Sequence, residues 1–253
     1  GQLQNVTAKK AGARDEALAF LEWLKDDNFT FLGMREYVYS GTGADAKVER
    51  GQGRGLGILS DPEVLVLRLG KDQVTTTPEI LEFLEGTDLL MVTKANVKSV
   101  VHRRAYMDYV GIKRFDEDGR VVGELRIVGL FAAAAYTQSV RDVPLLRAKV
   151  AEIDRHFGFD PYSHSGRMLD NTLESYPRDD LFQIEPDLLA KFCEQIMELS
   201  ERPRVRVLAR IDHFDRFVSA IVYVPKEDYD SLVREKIGAY LAQVFDGHIS
   251  AYY

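Results

Sequence analysis

Two strand-like runs, 205–211 and 217–224, lead into an amphipathic helical run at 228–244, and a third strand signal opens at His248 just before the chain ends at Tyr253. A ββα unit with one strand barely begun cannot cover both faces of its sheet or shield its edge, as folded proteins ordinarily do. The pattern predicts that these residues are a piece of a larger polypeptide.

The 253 residues as a whole, 45% hydrophobic and 29% charged, carry the signals of a soluble chain of one large or two ordinary domains. No apolar run approaches the roughly 18 residues of a membrane span. The opening Gly1-Gln2-Leu3-Gln4-Asn5 lacks the basic and apolar regions of a secretory leader, so a cytoplasmic location without membrane partners is expected. The net charge of −7 argues against indiscriminate nucleic-acid binding. The single Cys193 excludes an internal disulfide, and its neighbours Phe192, Ile196 and Leu199 at helical spacing predict a buried thiol.

Leu18, Phe20, Leu21 and Leu24 mark a helix over 15–26, and Asp27-Asn28 ends it before a strand at 29–39. Along that strand Phe29, Phe31, Gly33, Arg35, Tyr37 and Tyr39 alternate with Thr30, Leu32, Met34, Glu36 and Val38, which places the aromatic residues on one face. Residues 40–57 read as a flexible loop. Gly51, Gly53, Gly55 and Gly57 alternate there without the preceding apolar strand, following helix or Lys-Ser/Thr pair of a phosphate-binding loop. A short apolar segment at 64–69 follows, then a helix at 78–85 with Thr77 as N-cap and Pro78 at its first position. Runs 89–93, 98–103, 106–115 and 120–133 read as antiparallel strands, the last two joined by Asp116-Glu117-Asp118-Gly119. Helices are expected at 143–157, stopped by Gly158, at 163–175, capped by Ser163, and at 186–199, opened by Pro186. The fold class is α+β.

Few constellations suggest chemistry. Ser163, His164, Ser165 and Asp170 have the residue types of a hydrolytic triad, yet a helix cap accounts for the serines. His102-Arg103-Arg104 closes a strand and either grips an acidic ligand or neighbouring subunit, or forms a charged edge that discourages aggregation. Arg202, Arg204 and Arg206 share a strand face without the aromatic platforms that single-stranded RNA needs, and are expected to meet acidic helices of the same chain. Asp26-Asp27, Asp116 to Asp118 and Asp179-Asp180 read as solvated turn residues. No catalytic, metal-ligating or cofactor-binding residue emerges.

Several stretches resemble the large bacterial NAD-specific glutamate dehydrogenases. They are Phe20-Leu21-Glu22-Trp23-Leu24, Asn28-Phe29-Thr30-Phe31-Leu32-Gly33, Leu90-Met91-Val92-Thr93-Lys94-Ala95-Asn96 and Tyr109-Val110-Gly111-Ile112-Lys113-Arg114-Phe115. The most specific is Leu173 to Ile184, with its Tyr176-Pro177-Arg178-Asp179-Asp180 core. The resemblance implies an enzyme that oxidatively deaminates L-glutamate to 2-oxoglutarate and ammonium with NAD, and places this chain in its N-terminal regulatory part, away from the catalytic domain. It implies an N-terminal tail at 1–14, a PAS-like domain with an antiparallel sheet at 15–140, a helical linker at 141–202 and a partial ACT-like, ferredoxin-like ββαβ unit at 203–253. NAD would serve the parent enzyme and no cofactor this segment, which alone should be inactive. Its expected partners are the rest of its own chain, sister subunits and a small effector such as an amino acid. Two other roles stay open, an amino-acid-sensing module and a purely structural oligomerisation module. A sensing module would need a pocket in the PAS-like sheet with polar groups such as Tyr109 or Arg126, unless Phe29, Phe31 and Phe131 fill it.

Overall fold

Ala17, Phe20 and Leu24 recur at intervals of three and four, so a helix carrying them turns one apolar stripe inward, and Leu18 stays at the surface. In the computed structural model, which describes residues 11–41, 45–67 and 77–252, this stripe packs α1 (Ala11–Trp23) and the turn after it onto a sheet. The described residues divide into two units, Gly1–Gly158 with Leu173–Gln183, and Phe159–Thr172 with Ile184–Tyr253.

The first unit is built on β1 (Phe29–Ser40), β2 (Lys47–Arg50), β3 (Leu56–Gly57), β4 (Leu90–Lys98), β5 (Tyr106–Phe115) and β6 (Val121–Phe131). Their order is β2-β1-β6-β5-β4, with β3 also paired to β1, and every pairing is antiparallel. Gly119 turns the β5–β6 hairpin with φ 77°, as its sequence predicts. The α1 face collects Phe29, Val110, Ile112, Ile127 and Phe131. α2 (Pro78–Glu85), capped by the Thr77 hydroxyl accepting from Ile80 N–H, lies over the other face, where Lys113 donates to the Gly86 carbonyl.

The single-face reading of β1 does not hold. Between Phe31 and Gly33 the register against β6 shifts, opposing Phe31 to Gly129 but Gly33 to Val128. One extra residue inverts the parity of everything beyond it. Phe29, Phe31 and Met34 therefore share the α1 face, while Arg35 and Tyr37 point to the α2 side. The bulge sits where a Cβ on Gly33 would meet Ile58 and the Leu59 amide at 2.8 and 2.9 Å. Phe29 and Phe131 thus pack under α1, Phe31 stands exposed against the edge of the Phe29 ring, and none of the three fills the α2 side of the sheet.

Two further expectations change. Residues 99–105 form a loop, not a strand: Ser99 N–H donates to the Ala105 carbonyl at 2.8 Å, and His102 has φ 61°. The run at 40–57 is not a free loop either, since β2 and β3 follow β1 and Gly51 N–H donates to the Glu36 carbonyl at 2.9 Å. The 64–69 segment lies partly outside the described residues.

After β6 come α3 (Ala133–Thr137), α4 (Leu146–Phe157), ended by Gly158 at φ 61°, and α5 (His164–Ser175). α6 (Arg178–Gln183) was not legible as a helix, being one and a half turns long. It docks on the first unit through Phe182, which stacks on Phe131 at 5.1 Å and 9° and tilts against Phe20 and Trp23.

In the second unit α7 (Pro186–Glu201) buries Leu189, Phe192, Cys193 and Ile196. β7 (Arg206–Ile211) and β8 (Val218–Tyr223) form a hairpin whose loop is pinned by Asp212, which accepts from Arg216 at 2.6 and 3.0 Å. α8 (Ser231–Val244) follows, capped by Asp230. Residues 248–252 carry no strand. The structure is thus α+β, with helices set beside antiparallel sheets.

Phe182 is only half-buried, so Phe182→Ala should cost about 2 kcal/mol, below the roughly 3–5 kcal/mol of a fully buried phenylalanine. Urea unfolding of the 253-residue chain measures it, and a change within error would mean that α6 does not belong to this core.

Candidate functional site

Charged residues inside otherwise apolar strands must find partners, because an ionised group out of water is costly alone. β4, β5 and β6 bring two such clusters together, one on each side of the sheet.

On the α1 side, Lys94 stands opposite Asp108 in the β4–β5 register. Its ammonium lies 2.5 Å from Asp108 and 2.8 Å from Asp179 of α6. Asp108 also accepts from Phe131 N–H at 3.0 Å, and Asp179 from the Tyr136 hydroxyl at 2.9 Å. Burial alone would lower the Lys94 pKa, but the two carboxylates outweigh it and hold the lysine charged. Burial pushes the Asp108 carboxyl up to about 6; Lys94 offsets part of that and the Asp179 charge adds to it. Tyr136 is raised by burial and by the same two carboxylates.

This cluster explains the 173–184 stretch. Tyr176 donates to Asp180 at 2.8 Å, Arg178 to the Gln138 carbonyl at 2.9 Å and Thr93 to Gln183 at 3.2 Å. Lys149 donates to the Leu181 carbonyl at 2.8 Å. Asp179 and Asp180 are therefore ion-pair and hydrogen-bond partners of the fold rather than solvated turn residues. The signal that would have found them is Lys94 and Asp108, two charges at matching positions of adjacent apolar strands.

On the α2 side, Tyr109, Glu124 and Arg126 form one buried network. Glu124 accepts from the Tyr109 hydroxyl and, at 2.9 Å, from Arg126 Nε, while the Arg126 guanidinium lies 3.8 Å over the Tyr37 ring. Tyr109 is raised well above its ordinary pKa by burial and by Glu124. Burial works against the Arg126 charge, but Glu124 outweighs it. Gly111, beside Arg126 in register, leaves the space these groups occupy: a Cβ there would strike Glu124 Oε1 and the Tyr109 ring.

His102 and Arg103, but not Arg104, line an open groove of about 310 Å3 with Thr30, Leu130, Phe131, Ala132 and Ala133. Arg103 is engaged there, donating to the Phe131 carbonyl at 3.0 Å and lying over the Tyr136 ring. Arg104 is exposed. The five residues singled out from sequence thus fall in three places: the groove, the solvent-facing loop beside it, and the buried network.

The other constellations resolve structurally. Ser163 Oγ donates to the Asp160 carbonyl and accepts from Gly166 N–H at 3.0 Å, which makes it a helix cap. Arg204 meets Glu198 of α7 at 2.9 Å, as expected of basic residues beside an acidic helix. Burial pushes the Cys193 thiol up to about 12, so it is inert at neutral pH. Among the described residues no cluster of three or more His, Cys, Asp or Glu could hold a metal, and no helix is long and apolar enough to cross a membrane.

What these units define is an α+β chain whose buried charges are absorbed largely by its own packing. Residues 143–202 match the family model for glutamate dehydrogenase helical motif 1, and 206–253 match the glutamate dehydrogenase ACT2 domain. The NAD-specific glutamate dehydrogenase of Halomonas elongata is 37% identical over 91% of the chain, and that of Pseudomonas aeruginosa 39% over 88%. The enzyme of the same name from Mycobacterium tuberculosis is 28% identical over 92%. The resemblance read in the sequence is therefore shown: the chain matches a segment of the large bacterial NAD-specific glutamate dehydrogenases. It spans only 13–14% of the length of these relatives.

Two substitutions test the clusters. Lys94→Met leaves the buried Asp108 facing the partly buried Asp179 without a cation and should cost about 3 kcal/mol in urea unfolding; an unchanged midpoint would remove the bridge from the account. Folded Asp108 keeps its proton up to about pH 6, whereas the unfolded chain releases it near pH ~4. Its contribution to stability accordingly declines as pH rises through that window. Asp108→Asn abolishes the decline, so the variant's thermal midpoint should gain on the wild type's from about pH 4 to about pH 6. A variant that instead loses ground over this range would show Asp108 to be held below its ordinary pKa.

Proposed function

We propose that this chain is a non-catalytic regulatory and assembly segment of an NAD-dependent glutamate dehydrogenase, whose whole chain oxidatively deaminates L-glutamate to 2-oxoglutarate and ammonium. The observation that carries the reading is the coverage: about nine tenths of the chain aligns with about a seventh of the NAD-specific enzymes, and the part at 206–253 matches their ACT2 domain. Residues 15–140 act as a PAS-like domain, a reading supported by the strand order β2-β1-β6-β5-β4 with helix α2 in the connection from the β2 edge to β4. Residues 141–202 link it to a partial ACT-like unit at 203–253. NAD belongs to the parent enzyme, which works in the cytoplasm, and the segment's partners are the rest of its own chain and sister subunits rather than nucleic acid or membrane.

The assembly half of the reading is favoured by the second unit. Val205, Val207 and Ile211 are exposed on one face of β7 and its lead-in, and α8 exposes Leu232, Tyr240 and Val244. The sensing half is favoured by the buried cationic network of Arg126. Regulation in this sense is a differential affinity of a ligand or partner for two states of the enzyme.

Deleting the segment from the full-length enzyme should alter its oligomeric state or abolish its response to amino-acid effectors, measured by light scattering and steady-state kinetics. An enzyme that assembles and responds normally without it would overturn the proposal.

A further inference from the structure

Arg35 and Arg126 stand opposite each other in the β1–β6 register, on the α2 side of the sheet. Directly opposed residues of an antiparallel pair have Cβ atoms about 5 Å apart, so two guanidinium groups leave the sheet from neighbouring points. Both residues are over nine-tenths buried, with 8% and 4% of their surface exposed. Glu124 supplies this face with a carboxylate, and it is already shared between the Tyr109 hydroxyl and Arg126 Nε. Arg35 donates one group to the Ser60 carbonyl at 3.2 Å. Among the described residues, Arg126 Nη2 and Arg35 Nε are buried without an acceptor.

A guanidinium cannot escape burial by losing its proton, unlike a lysine. With buried Lys113 on the same face, the two guanidinium groups leave positive charge in excess of Glu124 and N–H donors unanswered among the described residues, an arrangement that an anion completes. Guanidinium forks match carboxylates in geometry, and the Tyr37 ring stacked under Arg126 fixes the plane of its fork.

We propose that Arg35 and Arg126 bind the carboxylate of a small organic acid between the sheet and the residues that overlie it, through Arg126 Nη2 and Arg35 Nε. A carboxylate offers two in-plane oxygens, one for each of these N–H donors. Ser60, which holds Arg35, and Tyr37 and Glu124, which hold Arg126, are positioning residues. The site rests on the sensing half of the proposed function and names its ligand class.

The test is calorimetric titration of the 253-residue chain with L-glutamate, L-aspartate and succinate, and with inorganic phosphate for comparison. The Arg126 side-chain N–H signals are followed by NMR in the same titrations. Arg126→Gln would leave Glu124 buried beside no cation and risks unfolding the chain, so the informative variant is Arg35→Gln, checked for cooperative unfolding. Expected are saturable binding of at least one of the three acids, a thermal midpoint raised by several degrees at saturation, a displaced Arg126 signal, and at least tenfold weaker binding to Arg35→Gln. The inference is overturned if none of the acids binds, if phosphate binds as tightly as they do, or if Arg35→Gln binds with unchanged affinity while the Arg126 signal stays still. Failure here would leave the deletion experiment on the full-length enzyme untouched, so loss of the site and loss of the regulatory reading are told apart.

Discussion

A lysine ammonium removed from water must be met by negative charge, and Lys94 is met by two carboxylates from distant parts of the chain. Asp108 comes from the next strand and Asp179 from a helix, 85 residues beyond Lys94. Asp108 resists ionisation chiefly because it is buried, with the Asp179 charge adding to that, and the Phe131 N–H and the Tyr136 hydroxyl supply further donors to Asp108 and Asp179 respectively. Such a cluster is weak evidence for stability, since an apolar replacement of the whole set often does as well. Its effect is specificity: α6 can dock in one place, with Asp179 on Lys94 and Phe182 stacked on Phe131. The helical segment at 173–183 thereby packs as part of the sheet unit.

That placement was only partly legible in the sequence. Helix periods, caps and stops were readable because each is local: Thr77 before Pro78, Gly158 after Phe157, Ser163 before His164. Docking was not, because it depends on pairs such as Lys94 and Asp179 that no spacing relates. The bulge at Leu32 was invisible for a similar reason. Alternation along β1 continues unbroken in the letters, and only the approach of Ile58 and Leu59 to Gly33 shows where parity turns over. Residues 98–103 misled in the opposite direction, since Val100 and Val101 suggest a strand but stand exposed in a loop.

The candidate contacts divide along the same line. Tyr109 and Arg126 were named as polar groups that a ligand pocket in the sheet would need, and both lie in one buried network; Arg35, two strands away from Tyr109 and also buried, falls with the aromatic residues of β1 when the alternation is read as unbroken. His102 and Arg103 do line a groove, through a loop whose positive φ at His102 no strand reading anticipates. A chain matching a seventh of an enzyme thus shows two kinds of buried charge. One kind, at Lys94, is closed on itself, and the other, at Arg35 and Arg126, retains donors.

The claim that a remote charged pair makes α6 integral to the sheet is most directly tested by native-state hydrogen exchange. If it holds, the amides of Leu181 and Phe182 open only with the global unfolding that exposes Val110 in β5, at the same free energy and with the same denaturant dependence. Exchange of Leu181 and Phe182 through a separate, lower-energy opening while Val110 stays protected would show α6 to be a loosely attached helix, and the Lys94 cluster to be a surface contact without structural consequence.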